Sequence, residues 1–214
     1  MGFEHLYDFL QEDVNFDELL KPLLPYIDKN EEVLDAGCGS GHILTNLASK
    51  GYRMVGVDIN SHMLSLAKQR LEELNINADL YEHDLKKPLP RQFKTIIALL
   101  DVFHYFMGIK TIAKNMYNGL TPNGTLILDL YHSPVNEIET ENDDYFMYTW
   151  KVETKGTKIR HDIKVYNGEF EGEYKVSQYY YPVSYYVDTL KEVGFKVSKI
   201  NGFDDRKVYL ICRK

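Results

Sequence analysis

No apolar run in this chain of 214 residues approaches the ~20 that a membrane-spanning helix needs, which argues against a membrane partner. The start, Met1-Gly2-Phe3-Glu4-His5, lacks the basic and apolar regions of a signal peptide, so the expected location is cytoplasmic. Cysteine is scarce. Only Cys38 and Cys212 occur, which supports neither a disulfide framework nor a cysteine metal cluster and leaves two reduced small side chains. Internal repeats and low-complexity segments are absent. Positive charge is in deficit, with 25 Lys and Arg against 32 Asp and Glu, a formal charge of −7. Residues 1 to 35 hold ten acids against two lysines, an acidic face that argues against a polyanionic partner such as nucleic acid. Residues 191 to 214 hold seven Lys or Arg against three acids, a bias that edge strands and surface helices carry for solubility alone.

Against these absences stands one dense stretch, Val33-Leu34-Asp35-Ala36-Gly37-Cys38-Gly39-Ser40-Gly41-His42. Two apolar β-formers lead into an aspartate and three alternating glycines, and a helical pattern follows directly. This is a strand, a tight turn and a helix N-terminus. Glycine lets a ligand approach the backbone closely, and the free N–H groups of a first helical turn favour an anionic group. The expected guest is a nucleotide-like cofactor.

Residues 3 to 28 read as one or two amphipathic helices, with Phe3, Leu6, Tyr7 and Leu10, then Phe16, Leu19, Leu20 and Leu23 at helical spacing, interrupted or ended by Pro22 and Pro25. Ahead of the glycine strand, this segment can only be a flap or a packing layer. Strand and helix then alternate. Ile43, Leu44, Leu47 and Ala48 form a stripe closed by Gly51, strand Arg53 to Val57 ends at Asp58, and a helix capped by Ser61 carries Met63, Ala67, Leu71 and Leu74. A short strand, Ala78 to Tyr81, runs into Glu82-His83-Asp84-Leu85. Phe93 to Leu100 is a nearly continuous apolar run, as in a parallel strand buried on both faces, and ends at Asp101. A stripe of Ile109, Ile112, Ala113, Met116, Tyr117 and Leu120 is closed by the turn Thr121-Pro122-Asn123-Gly124, and Thr125 to Leu130 is a fifth strand. Such repetition predicts a parallel sheet with right-handed crossovers.

Beyond Tyr131 an acid-rich loop, Glu137 to Asp144, precedes three β-rich runs, Tyr145 to Thr154, Thr157 to Tyr166 and Glu169 to Tyr181, broken at Lys155-Gly156 and Asn167-Gly168. Asn-Gly between alternating strands signals a hairpin. A helix capped by Ser184 and ended by Gly194, then strands Phe195 to Ile200 and Val208 to Cys212, return to the core. The expected fold class is α/β, a Rossmann-like seven-stranded, mostly parallel sheet with helices on both faces, plus an antiparallel β-meander insertion. Within a single domain, 1–29 form an N-terminal helical flap, 30–133 and 183–214 the core, and 134–182 the acidic loop and meander.

Ligands of open parallel sheets bind outside the carboxyl ends of the strands, where the glycine turn, Asp58, Asp84 and Asp101 all fall. Two readings of the turn compete. A dinucleotide fingerprint needs G-x-G-x-x-G, and His42 stands where its last glycine belongs, which disfavours an NAD-dependent oxidoreductase. Asp35-x-Gly37-x-Gly39-x-Gly41 instead resembles motif I of class I S-adenosylmethionine-dependent methyltransferases. The resemblance continues through Asp58, His83-Asp84-Leu85, the end of strand four, Thr121-Pro122-Asn123-Gly124-Thr125 and Leu190-x-x-x-Gly194-Phe195. It implies S-adenosyl-L-methionine as cofactor and S-adenosyl-L-homocysteine as product; the histidines have no evident ligand spacing, so no metal is expected. Asp58, at the tip of strand two, can accept both ribose hydroxyls, and Ile59 and Met63 can wall the adenine. The resemblance implies that Asp84 accepts from the adenine amino group beside the Leu85 N–H. By the same resemblance Gly37 and Gly39 leave room for the methionine part, and the Leu100 carbonyl region would receive its ammonium. Asp35 orients the turn. For Asp58 and Asp84, helix capping or plain solvation is the competing role.

Methyl transfer is an in-line displacement, and a base is needed only if the nucleophile arrives protonated. His104 is the candidate, since imidazole titrates near neutrality; a structural histidine at a helix start is the alternative. The Tyr7-Asp8 pair resembles one that precedes the core in small-molecule methyltransferases, where the helix covers the cofactor. Tyr179, Tyr180, Tyr181, Tyr185 and Tyr186 either line a pocket or pack the sheet. The insertion resembles that of bacterial small-molecule methyltransferases, which implies a small-molecule acceptor with an N or O nucleophile, in a monomer or homodimer. The rivals are an RNA or protein methyltransferase, disfavoured by Asp101-Val102-Phe103-His104 in place of an Asn-Pro-Pro-Tyr-like tetrapeptide and by the missing basic stripe, and a non-enzymatic module that binds the cofactor.

Overall fold

The computed structural model describes residues 3–12, 14–142, 147–166 and 171–214. Two short helices, α1 (Phe3–Phe9) and α2 (Phe16–Leu20), precede an alternating series: β1 (Glu32–Ala36), α3 (His42–Ser49), β2 (Arg53–Asp58), α4 (Ser61–Glu73), β3 (Asp79–Glu82), β4 (Phe93–Ala98), α5 (Lys110–Asn118) and β5 (Leu120–Tyr131). The strands β6 (Asn136–Asn142), β7 (Met147–Lys155), β8 (Lys158–Tyr166) and β9 (Glu171–Tyr179) follow, then α6 (Val183–Val193), β10 (Lys196–Asn201) and β11 (Lys207–Arg213).

The main sheet has the order β10-β11-β5-β4-β1-β2-β3, parallel except for β11, which runs antiparallel to both β5 and β10. The middle of each central strand is mostly apolar because both faces are covered. Leu34, Ala36, Ile96, Ala98, Leu126 and Leu128 face α5 and α6, whereas the intervening Val33, Ile97 and Ile127 face α2 and α3. Helical stripes supply the counterparts: Ile112, Ala113 and Met116 from α5 on one side, Ile43, Leu44 and Leu47 from α3 on the other. The expected seven-stranded α/β fold is therefore the one observed, and the second sheet, β6-β7-β8-β9, is antiparallel throughout. No helix among the described residues is long and apolar enough to cross a membrane.

Four local expectations change. The acid-rich stretch from Glu137 is a strand, not a loop: β6 pairs with β7 from Asn136↔Glu153 to Asn142↔Met147. Its acids alternate along an edge strand, where charge blocks further pairing. The turn at Thr121 to Gly124 is looped out inside β5, so that Phe93 pairs with Leu120 but Thr95 with Thr125. Asn60, not Ser61, caps α4, its Oδ1 accepting from the N–H groups of His62 and Met63 at 2.9 and 3.3 Å. Pro182, not Ser184, stands at the N-cap of α6, and no side chain caps it. The Asn167-Gly168 hairpin signal lies outside the described residues, although Tyr166 and Glu171 on either side are paired.

α1 joins the two sheets. Leu6 is fully buried against Tyr148, Ile163 and Val165 of the antiparallel sheet, while the polar face of α1 turns to the ends of β1 and β2.

Candidate active site

Main-chain hydrogen bonds shape the glycine turn. The N–H groups of Gly37 and Cys38 donate to the Val57 carbonyl at 2.7 and 2.9 Å, stitching the end of β1 to that of β2. Gly37 has φ +82°, and a Cβ there would stand 2.8 Å from Cγ2 of Val102, so packing excludes any side chain. Gly39 is different. At φ +52° a Cβ would meet nothing within 4 Å, because that side of the turn is open. Its N–H donates to Asp58 Oδ2 at 2.9 Å, while Asp58 Oδ1 accepts from the Asn60 N–H at 2.9 Å. The turn and the tip of β2 thus form one unit.

A cavity of about 410 Å³ opens beside this unit. Tyr7, Asp35, Gly37, Gly39, Asp58 and Ile59 line it, as do Met63, Asp84, Leu85 and Leu100. These are all of the cofactor candidates except Gly41, which instead starts α3 and sets its packing on α4, a Cβ there lying 3.0 Å from that of Ala67. Asp35 is 3% exposed and its Oδ2 makes no hydrogen bond. Burial, then the neighbouring Asp58, lifts its carboxyl to about 7. Asp84 Oδ1 accepts from the Lys86 N–H at 2.9 Å, and the Leu85 carbonyl is fixed by Asn115 Nδ2 of α5 at 3.0 Å. Leu100 and Asp101 have φ +59° and +70°, a left-handed pair that a leucine rarely adopts. It is held by the Asp101 N–H, which donates to Asp129 Oδ1 at 3.1 Å.

Asn60 and Tyr105 are among the further lining residues that were given no role from sequence. Asn60 carried a signal, an N-cap residue just before an apolar-periodic helix. Tyr105 carried none, because its place in the wall depends on the turn after β4.

α1 lies over the cavity and is tied down by charge. Asp8 Oδ1 is 2.7 Å from His42 Nε2 and accepts from Arg70 Nη2 at 2.7 Å. Arg70 Nε donates to the Ser40 carbonyl at 3.2 Å, and Asn60 Nδ2 to Glu4 Oε1 at 3.1 Å. The His42 ring stacks on Phe16, centroids 5.1 Å apart. Burial, then Arg70, lowers the pKa of His42, so its imidazole is neutral at pH 7. Burial opposes the charge on Asp8, but Ser40, Arg70 and His42 together hold its carboxyl below the usual range. The residue that breaks the dinucleotide fingerprint is the anchor of the flap.

A second chamber, of about 490 Å³, lies between α1, the carboxyl ends of β4 and β5, and the inner face of the antiparallel sheet. It shares Tyr7, Gln11, Leu99, Leu100 and Tyr105 with the first, so these side chains form a partition. On its wall Lys207 Nζ donates to Asp129 Oδ2 at 2.8 Å and stands 3.0 Å from Asp101 Oδ1. The Tyr131 hydroxyl donates to Asp101 Oδ2 at 3.0 Å. Burial disfavours the Lys207 ammonium, but Asp101 and then Asp129 outweigh it and hold its pKa well up. On the opposite wall Trp150 Nε1 donates to His161 Nδ1 at 3.1 Å, leaving His161 Nε2 to donate to Gln178 Oε1 at 2.9 Å.

His104, the candidate base, lines neither cavity. It is fully buried, its Nδ1 lies 2.8 Å from the Tyr179 carbonyl, and its Nε2 accepts from the Tyr131 N–H at 3.2 Å. Both ring nitrogens serve the main chain, as in the structural alternative to a base. The five tyrosines from 179 to 186 line neither cavity either. Tyr181, Tyr185 and Tyr186 pack on one another, with centroids 4.5 Å apart for the first two.

Residues 27–183 match the model of a family described as a methyltransferase domain. The chain is 26% identical over 220 residues to the putative methyltransferase YqeM of Bacillus subtilis, covering 94% of this chain and 88% of that one. Among solved structures it is similar to an S-adenosylmethionine-dependent methyltransferase from Clostridium acetobutylicum, with TM-score 0.82 and 20% identity over 99% of this chain and 97% of the other. It is also similar to the sugar N-methyltransferase KedS8 from Streptoalloteichus, with TM-score 0.80 and 15% identity over 100% and 93%. At these identities the two structures share the fold.

Proposed function

The chain belongs to the methyltransferase-domain family, and on that premise we propose that the cavity beside the glycine turn binds S-adenosyl-L-methionine and the adjoining chamber a small-molecule acceptor with a nitrogen or oxygen nucleophile. One observation carries the reading: the open side of Gly39, the carboxylate of Asp58 and the unpartnered Oδ2 of Asp35 converge on a single cavity. A neutral, purely apolar guest would leave that oxygen unpaired; a guest with a ribose diol and an ammonium group offers donors to both carboxylates.

In this reading Asp58 takes the ribose hydroxyls, each of its oxygens keeping a lone pair beyond the main-chain N–H it already accepts. Ile59 and Met63 wall the adenine, and Asp84 with the Leu85 N–H reads its amino edge. Gly37 and Gly39 flank the methionine part, the Leu100 carbonyl and Asp35 meet its ammonium, Gly41 sets the helix behind the turn, and Tyr7 closes the flap. The cofactor supplies a methyl group already activated by a sulfonium. What remains for the chain is to align that methyl with the acceptor across the partition and to exclude water, and orientation alone is worth ~7 kcal/mol or more. The catalytic division is then by segments: 1–29 as flap, 30–133 with 183–214 as donor site, 134–182 as the far wall of the acceptor chamber.

Calorimetry tests it. S-adenosyl-L-homocysteine and S-adenosyl-L-methionine should each bind once per chain, NADH should not, and Asp58→Ala should weaken binding at least about tenfold, the loss of a charge-assisted pair. Binding of NADH in place of S-adenosyl-L-methionine would overturn the proposal. RNA binding with a steep salt dependence would overturn its small-molecule part.

A further inference from the structure

The charge of the second chamber is one-sided. Five carboxylates line it, Asp101, Asp129, Glu137, Glu139 and Asp204, against two cations, Lys207 and Arg206. Both cations are already engaged. Lys207 sits between Asp101 and Asp129, and Arg206 is paired with Asp204 and Glu137. His161 adds no charge, since burial lowers its pKa and both its nitrogens are occupied by Trp150 and Gln178. Among the described lining residues, no cation is left to receive a carboxylate or phosphate. A ligand entering here meets a formal surplus of three negative charges and the rings of Tyr105, Trp150 and Phe203, a setting that attracts a cation both by charge and through π faces.

Within that surplus Asp101 stands out. It directly follows Leu100, which belongs to the partition between the chambers. Tyr131 occupies its Oδ2, and its Oδ1 stands 3.0 Å from Lys207 Nζ, whose aligned hydrogen bond goes to Asp129. The left-handed backbone at Asp101 and the ion pair with Lys207 fix this oxygen in place before any ligand arrives.

We propose that the acceptor is a cationic amine and that Asp101 is the carboxylate that anchors its ammonium beside the partition. The proposal rests on the reading of this chamber as the acceptor site, and it excludes carboxylate- and phosphate-bearing acceptors as good ligands.

Trp150 is the sole tryptophan of the chain and lines the chamber, so its fluorescence reports occupancy without cofactor or turnover. The test titrates the full chain with cyclohexylamine, cyclohexanol and cyclohexanecarboxylate, three probes with one ring and different head groups. The amine at neutral pH should give a saturable change and bind at least about tenfold more tightly than the other two, and Asp101→Asn should remove most of that advantage. Equal or tighter binding of the alcohol or the carboxylate overturns the proposal, as does the lack of a saturable response to the amine. Should Asp101→Asn fail to fold, the ranking of the three probes on the unaltered chain decides alone. A parallel calorimetric titration with S-adenosyl-L-homocysteine separates the two readings. Amine selectivity without binding of that nucleoside supports the ammonium site at Asp101 but removes its role as an acceptor site together with the methyltransfer reading, whereas nucleoside binding with a preference for the carboxylate removes this proposal only.

Discussion

Asp8 Oδ1 and His42 Nε2 meet at 2.7 Å, joining a helix that precedes the core to the first residue of the helix that follows the glycine turn. Because Arg70 reaches the same carboxylate oxygen at 2.7 Å and the Ser40 carbonyl at 3.2 Å, the contact fastens the flap to the turn itself. Three consequences of the wider geometry and one of this contact can be measured.

Asp8→Ala should release α1. Arg70 and His42 then lose their shared partner, at a cost of about 1–3 kcal/mol in stability, and S-adenosyl-L-homocysteine should dissociate faster in stopped-flow displacement. The contact also has a pH signature. His42 and Asp8 both have lowered pKa values, so each stabilises the native state above its unfolded value and loses that contribution on acidification. Thermal unfolding should show stability falling from about pH 6.5 downward as His42 titrates and again below about pH 4 for Asp8; in Asp8→Ala the lower step should vanish while the His42 step persists, because burial and Arg70 lower the His42 pKa and Asp8 opposes them.

Asp35 has the opposite sign. Its carboxyl is raised to about 7 by burial and by Asp58, so the native state holds a proton that the unfolded chain has lost. Its contribution is present at low pH and is lost as pH rises through about 7. Asp35→Asn should therefore gain stability relative to the unaltered chain between pH 5 and pH 8, by a few kcal/mol in differential melting. A bound ligand ammonium favours the ionised form, and cofactor affinity of the unaltered chain should rise over the same interval.

Two glycines of the turn should fail differently. Gly37→Ala places a Cβ 2.8 Å from Val102 at φ +82° and should cost about 2–4 kcal/mol of stability, read from chemical denaturation. Gly39→Ala meets nothing within 4 Å, so it should cost only about 1 kcal/mol of backbone strain. Its methyl group would stand in the space the proposal gives to the cofactor, so calorimetry should show the larger loss there. Equal effects of the two on binding would argue against a cofactor at the turn.

His104→Ala should act on the fold. It removes hydrogen bonds to the main chain of Tyr179 and Tyr131 from a fully buried site, which should lower stability by about 2–4 kcal/mol. The pH dependence of turnover in the surviving folded enzyme should keep its shape. Loss of one limb of that profile would restore the imidazole as a base.

The glycine turn, the strand ends and the faces of α3 and α5 could be read from the chain because each is a local pattern: alternate glycines before a helical stripe, an acid closing an apolar run. Local patterns also misled. Glu137, Glu139 and Glu141 read as a loop for their charge, yet they alternate with Ile138 and Thr140 along an edge strand whose outer face is solvent. Ser61 and Ser184 read as caps, but the backbone put Asn60 and Pro182 there. His104 could be placed near the end of β4 but not oriented, since its partners come from Tyr131 and Tyr179.

By itself the sequence determined the alternation of strand and helix, the two-faced burial of the central strands and the chemistry of the turn, because periodicity and glycine placement act over a few residues. Only the tertiary structure decided what closes the cavity and what faces the acceptor. Asp8 meets Arg70 across 62 positions and Lys207 meets Asp129 across 78. Contacts at that separation are set by how the sheets pack, and no spacing along the chain encodes them.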